Sequence, residues 1–419
     1  MTVSKISKCP VIADLRPEDE PYSKVFTTNP ANFFEQLRQQ ENLCQITMEG
    51  NFPVWLITKF DDAQQVLKDP RFTKVPADAR DRTSPTYDPE NEAPIYRMTE
   101  ENMLSRDAPE HSRLRSLVQS AFAPRYIQGF RARIQQVADE LLDKIQAKGT
   151  GQMDFVEEYA YPLPIVVLAE LLGLPHHDRE KLRIWSEVMM ELRITDSNRQ
   201  ALEDASIGLR NYLKEVFVLR REQPGDDLVT ALLEARNGTD KLSEEELYAM
   251  VFLLIVAGHE TTAHLLGNSM YTLLANPDQL AMLRNDPALI VPAVDEMLRH
   301  SGPVLTSTMR RASTDIVWGG VTMKEGDGVL VVLSSANMDA TKFTDPQVFD
   351  IKREYNKHIA FGFGAHFCIG ASLARLEAEI AIAAMLQRFP DLQFDPAVDV
   401  LEWRNNMLIR GLRKLPLVF

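Results

Sequence analysis

Cysteine is scarce in this sequence. Three occur in 419 residues, Cys9, Cys44 and Cys368, and none belongs to a C-x-x-C pair. A set so odd and sparse is not a disulfide framework, and it leaves no Cys cluster for an iron–sulfur centre. A reducing cytoplasm is the expected compartment. An excess of positive charge is also missing. The formal net charge is −14, from 46 basic and 60 acidic residues, which argues against a nucleic-acid binder, since such a protein shows a basic domain. Long hydrophobic runs are absent too. Residues 1–14 lack the apolar centre of a signal peptide. The longest notable apolar run, 249–257, falls far short of the ~18 residues of a membrane span, so no membrane anchor is expected. What remains is ordinary for a soluble globular protein able to bury a sizeable core: 45% hydrophobic and 25% charged residues. Chains of this length hold two or three average domains or one large enzyme.

The chemistry is concentrated in a few stretches. Residues 361–370 read F-G-F-G-A-H-F-C-I-G, and a helical pattern follows at once over 371–389. Gly362, Gly364 and Gly370 permit positive φ and close approach of another group to the backbone. Cys368 stands just ahead of the helix start, where N–H donors and the positive end of the helix dipole favour thiolate, the metal-ligating form. With no second Cys or His at finger spacing, it cannot build a four-ligand zinc site. It can supply one axial thiolate to a haem iron, whose other ligands the porphyrin provides.

Elsewhere the chain reads mainly as helix. Residues 1 to about 28 read as an extended arm and 32–40 as a short helix. Residues 44–59 alternate like a hairpin turning at Glu49-Gly50-Asn51. A helix over 60–68 is expected to be capped near Asp61. The Pro-rich stretch 72–100 shows no period and is too long for an idle connection. From 124 to 221 helical stripes recur. Ser243-Glu-Glu-Glu246 is a capping box opening a helix to about Ala275 that is apolar on all sides and therefore buried. In its middle stand Ala257-Gly258-His259-Glu260-Thr261-Thr262. An acid and hydroxyls there are costly unless satisfied or used, and Gly258 costs ~1 kcal/mol against Ala in a helix. Small Ala257 and Gly258 leave room beside them, and Thr261 can bond the carbonyl of Ala257 and open a local groove. His111 and Arg115, four apart, share a helix face, as do Glu296 and Arg299, three apart.

In this order the motifs resemble the cytochrome P450 monooxygenases of the soluble bacterial type. Phe361, Gly364, Cys368 and Gly370 match the haem-loop pattern F-x-x-G-x-x-x-C-x-G, with Gly362 and His366 fitting its bacterial variant. Ala257, Gly258, Glu260 and Thr261 match A/G-G-x-D/E-T, and Glu296 and Arg299 match E-x-x-R. The resemblance covers essentially the whole chain. It implies a mainly α fold with small β-sheets: one triangular-prism-like domain, 1–419, around a long central helix. The β-rich part would be formed by about 44–70 and 302–333 with the C-terminal strands, the helical part by about 105–301 and 371–389.

The same resemblance implies haem b, with Cys368 as the iron ligand and His111, Arg115, Arg310 and His366 as propionate contacts, Arg311 competing with Arg310. Ala257, Gly258, Phe361, Gly362 and Gly370 would also line the cofactor. Glu260 and Thr261 would bring protons to bound O2, while His259 points away. Glu296, Arg299 and Arg353 would brace the loop. Met189, Met190, Leu192, Val304, Leu305, Met407 and Leu408 would face substrate. The implied reaction inserts one oxygen atom of O2 into a C–H or C=C bond of a lipophilic molecule such as a polyketide, terpenoid, steroid or fatty acid. No fused flavin or iron–sulfur domain is visible, so electrons would come from a ferredoxin and its reductase, or a flavodoxin, docking near Arg113, Lys352, Arg353, Lys357 and Arg375. A monomer is expected. Three other readings stay open on the residues: a peroxygenase using H2O2, a non-catalytic haem sensor, and a haem-free helical protein with a Cys/His loop.

Overall fold

The structure, a computed structural model, describes residues 5–6, 30–40, 43–48, 52–74, 98–175, 178–189, 198–237, 240–404 and 407–419. The N-terminal arm apart from 5–6, the hairpin turn 49–51, most of the 72–100 stretch, Met190, Leu192 and residues 405–406 lie outside the described residues.

The described strands are, in chain order, β1 (Lys5–Ile6), β2 (Cys44–Met48), β3 (Phe52–Ile57), β4 (Phe72–Thr73), β5 (Gln152–Asp154), β6 (Arg236–Asn237), β7 (Asp240–Lys241), β8 (Arg310–Ala312), β9 (Ile316–Trp318), β10 (Val321–Met323), β11 (Gly328–Val331), β12 (Gln393–Phe394) and β13 (Pro416–Val418). The principal helices are α1 (Ala31–Arg38), α2 (Phe60–Lys68), α3 (Glu110–Val118), α4 (Arg131–Ala147), α5 (Pro162–Leu172), α6 (Arg179–Met189), α7 (Arg199–Glu222), α8 (Leu228–Glu234), α9 (Glu244–Ala275), α10 (Pro277–Asn285), α11 (Ile290–Ser301) and α12 (Ala371–Arg388). The chain is mainly helical with small sheets. It divides into two compact units: Met1–Thr73, Arg131–Leu163 and Thr261–Phe419 form the first, Lys74–Phe130 and Pro164–Glu260 the second.

The first unit holds a six-stranded sheet of order β1-β2-β3-β11-β8-β4. The hairpin β2–β3 is antiparallel, with Cys44 opposite Leu56, while β11 joins β3 in parallel, Gly328 opposite Val54. A Cβ on Gly328 would lie 2.7 Å from the Phe52 ring, so only glycine fits there. Trp55 turns its indole N–H to Asp327, 2.9 Å away. Trp55, Ile57, Phe60, Val66, Phe72 and Phe343 form the buried centre between sheet and α2. The β9–β10 hairpin turns on Gly319 and Gly320, both at positive φ (52° and 77°), which a two-residue turn of this hand requires.

One expectation is corrected here. The cap of α2 is Lys59, not Asp61, and no local side chain caps it; instead the Phe60 N–H donates to Asp339 Oδ2 at 2.9 Å. Asp61 lies inside the first turn, where its charge meets the helix dipole. Cys44 is buried in β2.

Among its described residues the second unit is helical apart from the β6–β7 pair. The capping box at the start of α9 forms as expected: the Ser243 N–H donates to Glu246 (2.8 Å) and the Glu246 N–H to Ser243 Oγ (3.2 Å). Helices α6 and α7 close on each other at Gly208, where a Cβ would come 3.0 Å from the Trp185 indole. By length and composition α9 could cross a membrane, but 78% of its apolar window is buried inside the fold, as in a core helix.

Candidate active site

The cysteine loop is shaped by backbone bonds. The Cys368 N–H donates to the Phe361 carbonyl at 3.0 Å, the Phe367 N–H to Gly364 at 3.1 Å and the Gly362 N–H to Ile359 at 2.9 Å. Gly362 and Gly364 both take positive φ (74° and 76°). A Cβ on Gly364 would lie 2.9 Å from the Leu67 carbonyl, so glycine lets the last turn of α2 abut the loop. Gly364 to His366 is a single 3-10 turn, and α12 starts at Ala371. The result presents Cys368 at the surface beside Phe367, itself 41% exposed. No group of three or more His, Cys, Asp or Glu able to hold a metal ion exists among the described residues. An exposed cysteine beside an exposed aromatic would suit a single bond to a metal held by a macrocycle and does not fit a protein-built metal cage.

The brace forms around Glu296 on α11. Arg299 makes a two-pronged pair with it, both contacts 2.7 Å and both side chains fully buried. Arg353 Nε lies 3.1 Å from the same carboxylate, and the Asp350 N–H and Asn356 amide also donate to it (3.0 and 3.2 Å). The outer faces of the guanidiniums donate to chain carbonyls of the meander: Arg299 to Asn337 and Pro346, Arg353 to Thr344 and Val348. So buried an ion pair holds only when every polar edge is met, and here one carboxylate organises residues 337–356.

Helix α9 runs unbroken through the acid–alcohol motif. Within its buried middle, Ala257 is exposed and Gly258 and Thr261 are half-buried, one stripe on an otherwise covered cylinder. Glu260 and Thr262 are buried. Gly258 has a packing reason as well: a Cβ there would come 3.1 Å from Leu168 of α5. His259 is buried. Its Nδ1 lies 2.8 Å from the Ile255 carbonyl and its Nε2 3.2 Å from Ser186 Oγ on α6.

His111, buried, and Arg115, half-buried, sit one turn apart on α3. Neighbouring strand residues Arg310 and Arg311 face opposite ways. Arg310 is buried and donates to the Phe72 carbonyl at 3.0 Å, whereas Arg311 lies over the Phe52 ring at 4.4 Å. Arg311 is thereby engaged on the sheet. His366 is half-buried in the 3-10 turn.

Among the lipophilic candidates, the structure sets residues 304–306 against 407–409. The Leu305 N–H donates to the Leu408 carbonyl at 2.8 Å, Thr306 Oγ1 lies 3.3 Å from the Met407 carbonyl, and Val304 bridges to Ile409. Leu305 and Met189 are buried, and Met407 packs against the cluster around Phe33 and Phe34. Of the basic residues expected at a dock, Arg113 pairs with Glu246 and Asp240 and Arg353 is turned inward, while Lys352 and Lys357 are exposed.

Sequence reading missed Glu377 on α12. It is buried, accepts a hydrogen bond from Thr262, and one of its oxygens has no partner among the described residues. Burial raises its carboxyl well above the ordinary range, the Thr262 bond opposing only in part. Its only signal in the sequence is an acid on an inward stripe of an apolar helix.

Comparison with known proteins agrees with this geometry. The cytochrome P450 family model matches residues 23–414. Cytochrome P450 107B1 of Saccharopolyspora erythraea is 43% identical over 408 residues, covering 94% of this chain and 96% of that protein. The solved cytochrome P450 PksS of the Bacillus subtilis bacillaene polyketide synthase superposes with a TM-score of 0.88 at 38% identity, over 95% of this chain and 99% of that one. The myxobacterial CYP267B1, solved with myristic acid, gives a TM-score of 0.88 at 37% identity, over 96% and 98%. Helical core, cysteine loop and whole-length matches converge: the chain belongs to the cytochrome P450 family, as a haem-dependent monooxygenase.

Proposed function

We propose that the chain is a single P450 domain that holds haem b through Cys368 and hydroxylates or epoxidises a polyketide-, terpenoid-, steroid- or fatty-acid-like substrate. The observation that carries the assignment of the ligand is the exposed Cys368 thiol, fixed by the Phe361 carbonyl directly ahead of α12. His111, Arg115, Arg310 and His366 would meet the propionates, with Arg acting as a forked donor. When bound, the haem supplies binding and reductive activation of O2.

The chain's own residues do the rest. Ala257 and Gly258 carry no bulk and leave room for O2. Thr261 Oγ1 offers a hydrogen bond to O2, and the Glu260 carboxyl passes protons inward to it. An apolar surround, with Val304, Leu305, Met407, Leu408 and Met189 as candidates, excludes water and orients an oily substrate. Glu296, Arg299 and Arg353 keep the loop's scaffold in register. Retention of both acid and alcohol favours O2 with delivered electrons over direct use of H2O2. A separate ferredoxin with its reductase, or a flavodoxin, would deliver the electrons to a cytoplasmic monomer. The names of PksS and of the CYP267B1 complex support a polyketide or fatty acyl substrate class.

The test is spectral. The reduced CO complex should show the red-shifted Soret band of thiolate ligation, and Cys368→Ser should lose it; an unchanged band in that variant overturns the assignment. A panel of lipophilic ligands scored by the low- to high-spin shift then selects the substrate class.

A further inference from the structure

Helix α11 carries two consecutive acids with different occupations. Glu296 serves the brace. Asp295 serves the cysteine loop. Its Oδ1 accepts from Arg375 Nε on α12 at 2.8 Å and faces His358 Nε2 at 3.3 Å. The Ala360 N–H donates to His358 Nδ1 at 3.2 Å, so Nε2 carries the imidazole proton and donates to Asp295. The Arg375 guanidinium lies 4.5 Å over the ring of Phe361, and the His358 ring stands 6.3 Å from it. Phe361 in turn meets Phe367 edge-on at 6.3 Å and gives its carbonyl to the Cys368 N–H. Burial alone would raise the Asp295 carboxyl; the hydrogen bonds from His358 and Arg375 outweigh it and hold the group below its ordinary value. Asp295 is therefore a fixed anion and Arg375 a fixed cation over an aromatic that touches the iron-ligand loop.

We propose that Asp295, His358 and Arg375 are positioning residues that set the reduction potential of the bound haem, as a charge pair held against Phe361. This rests on Cys368 being the haem ligand. Loss of either charge leaves the other uncompensated, and the two losses act with opposite sign. A net negative charge near the thiolate favours the ferric state; a net positive charge favours the ferrous state. Both side chains are about one-third exposed (35% and 32%), so screening tempers the effect.

The experiment is redox titration of the holoprotein and four variants. Arg375→Met should shift the one-electron equilibrium toward ferric, and Asp295→Asn toward ferrous, each on the order of three- to tenfold, tenfold being about 59 mV for a one-electron couple. The double variant should return toward the wild-type value. Arg375→Lys keeps the charge and should stay within about twofold. Shifts should shrink in high salt. Shifts of the same sign in the two single variants, or none beyond about twofold, overturn the proposal and leave only a structural clamp. The thiolate CO band separates the two levels. If the wild type lacks it, the ligand assignment fails; if all variants keep it and the potentials do not diverge, only this inference fails. Should Arg375→Met not fold, Asp295→Asn read against Arg375→Lys carries the sign test alone.

Discussion

At the scale of single residues, polar groups in apolar surroundings carry the sharpest consequences. Thr261→Ala is expected to retain haem and the thiolate spectrum but to divert reducing equivalents to peroxide. The check is the ratio of H2O2 released to product formed; fully coupled turnover would assign proton delivery to another group. Glu377 gives a pH prediction. Its folded-state carboxyl lies well above the ordinary value because of burial, so folding takes up a proton, and stability is greatest below the ordinary pKa and falls as pH rises toward the folded one. Glu377→Gln keeps the shape and removes that dependence. Its melting temperature should gain on the wild type progressively from about pH 5 to about pH 8; a gap that is flat or narrows with pH refutes a neutral buried acid. The motif residues were legible because their chemistry is local. Glu377 was not, because an acid becomes informative only once its surroundings are known to be dry.

At the scale of elements, many of the helices and the 44–59 hairpin could be read from periodicity and turn residues, while the β9–β10 turn and the devices that lock the elements together could not. Residues 60–68 were legible as a helix from Phe60, Ala63, Val66 and Leu67 recurring on one face. Its cap was not, since Asp339 comes from the far end of the chain. Asp339→Ala should therefore loosen α2 and the loop that abuts it, at about 1–3 kcal/mol for the orphaned buried N–H, read as a lowered melting temperature with the thiolate spectrum intact at low temperature. The E-x-x-R pair was legible as a pair. That it also gathers Asp350, Asn356 and carbonyls of the meander was not, because those contacts depend on a segment without any period. Glu296→Gln leaves two guanidiniums facing a neutral group. Breaking such a pair costs roughly 3–5 kcal/mol, and haem should be lost on mild heating well before the wild type loses it. Equal haem retention in both would mean the brace is dispensable.

At the scale of the whole molecule, the fold class and the family followed from the order of four motifs along the chain, each weak by itself. The division into two compact units was not legible at the two of its four boundaries that fall inside α5 and α9, where no loop composition marks them. Each unit is assembled from separated segments. Truncation at residue 260 should therefore yield no stable half, as judged by a cooperative melting transition, whereas a contiguous independent domain would show one.

The parallel pairing of β3 with β11 gives this discontinuity a dimension in time. During synthesis β3 emerges early with one edge covered only by β2, and the strand that closes its other edge is encoded near the opposite end of the chain. At roughly 5–20 residues per second, that open apolar edge waits on the order of tens of seconds for its partner. The ribosome-bound chain is then a natural client for chaperones that shield strand edges, and slower elongation should lower soluble yield rather than raise it.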